Sequence, residues 1–73
     1  MSWAVYELDL VSGKAQNPTF FETKADARNH AAGMAEGWRE GEDRVLNDGD
    51  VFIVMTPSGV LNFGALIREV IPV

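Results

Sequence analysis

No cysteine occurs in the 73 residues. Disulfides and thiolate metal sites are therefore excluded, and the chain suits a reducing compartment. One histidine, His30, leaves too few ligands for a zinc constellation. Bases are scarce: six Lys and Arg stand against eleven Asp and Glu, for a net charge of −5. That balance disfavours nucleic acid, whose phosphates need cations, and leaves a reading through Lys24, Arg28, Arg39 and Arg44 as the weakest binding hypothesis. It favours solubility, or a protein partner with a basic surface. No apolar run approaches the roughly 20 residues of a membrane-spanning helix, so no membrane partner is expected. Met1 to Glu7 has no basic region and an early acid, unlike a secretory signal. The chain reads as cytoplasmic.

Catalytic groupings are also missing. Ser2, Ser12 and Ser58 lie outside any nucleophile-elbow sequence. Gly13-Lys14 lacks the upstream glycine spacing of a phosphate loop. Asn47-Asp48-Gly49-Asp50 offers oxygen ligands without the spacing or distal Glu of a calcium loop, and reads as a turn. His30 falls on a helix flank beside Ala27 and Met34, where packing is a simpler role than chemistry. These readings predict a protein that is not an enzyme, with no catalytic residues, no metal and no cofactor.

What the sequence does contain centres on Val51-Phe52-Ile53-Val54-Met55. This apolar run lies between two turn signals, Asn47-Asp48-Gly49-Asp50 and Thr56-Pro57-Ser58-Gly59. It is too short for a helix and reads as a central strand buried on both faces. Trp3 to Val11 alternates, with Ala4, Tyr6, Leu8 and Leu10 on one face and Trp3, Val5, Glu7, Asp9 and Val11 on the other. Ala15 to Glu22 returns as a hairpin partner, confined to an edge by Pro18. Thr23 caps a helix whose apolar face is Ala27, Ala31, Met34, Ala35 and Trp38. Gly33 and Gly37 weaken that helix, or admit a close neighbour. Arg39 to Asp50 is a polar connection. Val60 to Phe63 pairs back on the central run. Gly64 to Val73 reads either as a continuing strand past a bulge at Gly64 or as a short helix. Its Val and Ile content favours strand. The expectation is one α+β domain over residues 1–73, in the order β-(β)-α-β-β. An antiparallel sheet of three to four strands carries one helix on one face.

Trp3-Ala4-Val5, then Phe21-Glu22-Thr23-Lys24-Ala25-Asp26-Ala27 entering an alanine-rich helix, then a hairpin with a Gly turn, resembles small bacterial domains of the DUF2188 type. The resemblance implies a fold and no activity. In size, acidity and element order the chain also looks like small phage-encoded host-takeover proteins such as anti-CRISPR inhibitors. That likeness implies binding to a host complex, and it carries over no residue roles.

Two features point to function. Glu36, Glu40, Glu42, Asp43, Asp48 and Asp50 gather six acids against two arginines in one stretch. They are either a solvated helix end and loop or an acidic surface for a basic groove. The second feature is apolar surplus. One helix covers one face of a sheet, yet the strands offer apolar residues to both. Trp3, Val5, Phe52 and Val54 are the candidate uncovered face, for a partner or a second copy, unless Phe20, Phe21 or the tail folds over it. The functional expectation is a non-enzymatic protein-binding module, most specifically a small acidic phage or mobile-element inhibitor of a host protein complex. A structural homodimer is the alternative.

Overall fold

The computed structural model describes residues 2–71. The chain runs β1 (Ser2–Asp9), β2 (Ala15–Phe21), α1 (Lys24–Trp38), β3 (Arg44–Asp48), β4 (Val51–Thr56) and β5 (Gly59–Val70). It is an α+β fold with one helix, and its five strands form a single antiparallel sheet in the order β2-β1-β5-β4-β3. The expected three to four strands fall one or two short. The polar connection hides β3, whose short sequence Arg44-Val45-Leu46-Asn47-Asp48 has only two apolar residues and no run to mark it.

The middle of the sheet is also displaced from the expectation. Val51–Thr56 is second from an edge, and the central strand is β5, flanked by β1 and β4. The described part of the tail is strand throughout, to Val70, while Pro72 and Val73 lie outside the described residues. Gly64 is paired with both Leu8 and Ile53. The ladder irregularity between β4 and β5 falls just beyond it, between Ile53 and Met55. Space, not backbone freedom, demands the glycine: an added Cβ would lie 2.9 Å from the Phe52 carbonyl oxygen and 3.2 Å from Ile53 Cγ2.

Local chemistry sets the other boundaries. The Thr23 hydroxyl accepts from the Asp26 N–H at 3.2 Å, which caps α1. The helix stops where Arg39 turns extended, its N–H donating to the carbonyls of Ala35 and Glu36. Gly33 and Gly37 are exposed, and nothing lies within 4 Å of a Cβ built at either, so they admit no close neighbour. β2 lies at the edge that Pro18 requires. A bulge between Val5 and Glu7 is absorbed by Asn17, in the left-handed region at φ 53° that Asn tolerates better than most residues.

Three helical alanines, Ala27, Ala31 and Ala35, are fully buried against the sheet. Beneath them lie Val5, Phe52, Val54, Ala65 and Ile67. Small side chains on the helix bring its backbone close to the strands. The price is a thin core, in which Ile67, Val5 and Val54 are the largest fully buried side chains. Trp38 closes one end by packing edge-on against Phe63, with ring centroids 4.8 Å apart. Lys24 over Trp3 and Arg28 over Phe52 flank the helix start.

Candidate functional site

The helix decides which sheet face stays open. Val5 and Val54 are at most 1% exposed, Phe52 is buried, and Trp3 packs against the same cluster. Three of these residues therefore form core and Trp3 packs on its margin, so none of the four belongs to an uncovered surface. Period-two alternation sends them toward α1 because their cross-strand partners, Phe21, Ile67, Ala65 and Val45, share that side.

The open face is the opposite one. β1 contributes Ala4, Tyr6 and Leu8; β5 contributes Leu66; β4 contributes Val51, Ile53 and Met55; and β3 contributes Leu46. Phe20 of β2 is 60% exposed beside Ala4. Met55, Leu46 and Val60 are also exposed, whereas Tyr6, Leu8, Val51, Ile53 and Leu66 are half-buried among their neighbours. No described element covers this face. The described tail is spent as β5 and covers neither face, and Phe21 turns toward the helix, where it meets His30 at 4.9 Å. The strands place three charges here, Arg44, Arg68 and Asp48. Neither arginine has an ion pair among the described residues.

The acidic stretch does not form one surface. β3 returns antiparallel along the helix, so its acids separate to opposite ends. Asp50 lies at the helix start, where it pairs with Lys24 at 3.3 Å. Arg28 reaches the adjoining turn through Asn47 Oδ1 at 2.9 Å and the Gly49 carbonyl at 3.3 Å. Glu36 in the last turn, with Glu40, Glu42 and Asp43 just past it, lies at the other end of a helix that spans roughly 22 Å at 1.5 Å per residue. There the Glu36 carboxylate accepts from Arg39 at 2.9 Å, and the Asp43 carboxylate accepts from the Glu40 N–H at 3.1 Å. Two of the six acids thus have cationic partners of their own, and a third organises its loop. Asp48 falls on the open face.

A second polar region lies on the helix side, past the helix end. Glu7, Asp9, Val11, Gln16, Asn62 and Phe63 line a shallow cleft of about 320 Å³. Its two acids serve local structure. The Asp9 carboxylate accepts from the backbone N–H groups of Val11 (2.9 Å) and Ser12 (3.3 Å), which hold its pKa below the usual carboxylate value. Glu7 accepts from the Asn17 amide at 3.3 Å, bracing the bulge. The nearby serines and the Asn47 turn have comparable local roles. The Ser12 hydroxyl accepts from the Lys14 N–H, and Ser58 sits in the Thr56 turn. Asn47-Asp48-Gly49-Asp50 makes the β3–β4 turn, with the Asn47 amide donating to the carbonyls of Gly49 and Val51.

The open-face residues carry a signal in the sequence itself. Tyr6 and Leu8 alternate with Glu7 and Asp9, so β1 is more evenly apolar on the open face than on the covered one. Among the described residues no helix is long and apolar enough to cross a membrane. No protein-family model, curated protein or solved structure matches the chain.

Proposed function

We propose that this chain is a non-enzymatic protein-binding module that docks through the open face of its sheet. One observation carries the reading: a contiguous apolar surface, from Phe20 across Tyr6 and Leu66 to Ile53 and Met55, has no cover within the described chain. A monomeric domain rarely leaves such a patch unless something binds it. The serines and acids that chemistry would recruit hold turns and loops instead, which supports a binding role over a catalytic one. In its most specific form the module is a small phage or mobile-element inhibitor that blocks a host protein complex. The split of the acidic stretch favours sheet-face docking over docking through acids alone.

The test is capture from a bacterial host extract, with folding of each variant checked by circular dichroism. Ile53→Lys combined with Leu66→Lys places two charges on the open face and is expected to abolish capture of a specific partner. Reversing Glu40, Glu42 and Asp43 to Lys is expected to leave it. The opposite pattern moves the binding site to the helix end, and specific capture that survives both sets defeats the reading.

A further inference from the structure

The two edges of the sheet are built differently. β2 is blunted: Pro18 removes a donor, and Asn17 holds a bulge in the left-handed region. β3 has neither device. It is five regular residues long, and no described strand pairs with its outer side. The two-residue turn Gly49-Asp50 closes the hairpin at Asp48 and Val51. Alternation along an antiparallel ladder then turns the N–H and C=O groups of Val45 and Asn47 outward, toward no strand.

Charge decides what fits this edge. Repulsion keeps two copies of an edge apart only where like charges fall opposite one another. β3 carries one of each, Arg44 at its start and Asp48 at its end, both exposed and both on the open face. Laid antiparallel on a second copy of itself and centred on Leu46, Arg-Val-Leu-Asn-Asp is self-complementary. Arg44 of each copy meets Asp48 of the other, Leu46 meets Leu46, and Val45 and Asn47 supply the ladder bonds. Arg44 and Asp48 then occupy non-hydrogen-bonded pairs, where opposing side chains come closest.

We propose that two copies of this chain pair through the outer edge of β3, forming one continuous ten-stranded antiparallel sheet. This association is separate from docking at the open face, because it uses the strand edge. An edge pairing of this kind has a two-fold axis perpendicular to the sheet. Both helices therefore lie on one side and both open faces join on the other, doubling the apolar platform. The helices leave room, since α1 packs mainly over β5 and β1 and only lightly on β3. The contact is small, which places it in the weak, concentration-dependent class.

Sedimentation between about 10 μM and about 1 mM tests the proposal. The wild-type chain is expected to dimerise across this range. Arg44→Asp alone and Asp48→Arg alone each set like charges opposite one another twice, and each is expected to weaken self-association by about tenfold or more. Mixing the two variants restores both opposite-charge pairs, so the mixture is expected to form a heterodimer with the wild-type affinity. Recovery on mixing also shows that both variants remain folded. A wild-type chain that is monomeric at every concentration overturns the proposal. So does a dimer that is insensitive to the single reversals, or a mixture that fails to recover.

Discussion

The two faces of the sheet are made by the same strands and differ in what lies on them. The covered face holds Val5, Phe52, Val54, Ala65 and Ile67 under a row of three alanines. The open face holds Tyr6, Leu8, Ile53, Leu66 and Met55 under nothing described. Their apolar content is alike, so hydrophobicity did not decide which face the helix took. The covered face turns acidic toward Glu7 and Asp9, and α1 packs over its apolar end, leaving those acids to line the cleft beyond Trp38 and Phe63. Apolar alternation identifies a strand and gives it two faces. Which face becomes core depends on where the helix can lie.

The sharpest way to break this comparison is to truncate the same residue type on each face. Ile67 is 1% exposed in the core, whereas Ile53 is half-buried on the open side. Ile67→Ala is expected to cost about 2–5 kcal/mol in chemical denaturation, enough to unfold much of a domain with so thin a core. Ile53→Ala is expected to cost less than half as much at dilute concentration, where no partner occupies its face. Equal losses would mean that the open face is buried in solution even then.

Gly64 sharpens the comparison from within the sheet. It faces the open side, opposite Leu8 and Ile53, yet it is buried because neighbouring strands crowd it. Gly64→Ala forces a Cβ to within 2.9 Å of the Phe52 carbonyl oxygen, a backbone atom that cannot rotate away. The expected loss is about 1–3 kcal/mol, read as a lower denaturation midpoint with unchanged slope. A neutral result would show that β4 and β5 separate there more easily than their pairing implies.

Much of this architecture was legible in the sequence. The helix, its Thr23 cap and its alanine face follow from spacing and capping chemistry, and β1 follows from alternation. Pro18 correctly confined β2 to an edge. Three things were not legible. β3 is a strand because β4 offers it an edge to pair with, and its own composition resembles a loop. The tail became the middle strand because β1 and β4 both needed a neighbour, a long-range demand that no local pattern encodes. The acids from Glu36 to Asp50 are neighbours in the chain but not in space, because the return of β3 along the helix parts them. Trp3, Val5, Phe52 and Val54 were correctly grouped on one face. That face is the one under α1, a placement that face counting alone does not decide.

The smallest expected effect lies at the acidic end of the covered face. Asp9 accepts two backbone N–H groups that stabilise its ionised form, so its folded pKa is lower than the roughly 3.9 of an unfolded Asp. A carboxyl with a depressed folded pKa contributes stability above its unfolded value and loses it as pH falls through the folded one. Asp9→Asn keeps an acceptor for the turn and removes the titration. Melting temperatures of wild type and variant, followed by circular dichroism from about pH 6 to about pH 2, are expected to run parallel above pH 4 and converge below it. The other carboxylates titrate in both proteins, so the difference between the curves isolates Asp9. Curves that stay parallel to the lowest pH would show that the Val11 and Ser12 bonds do not favour the charged form, and the turn would then owe its geometry to Gly13 at φ 79° and its bond to the Asp9 carbonyl.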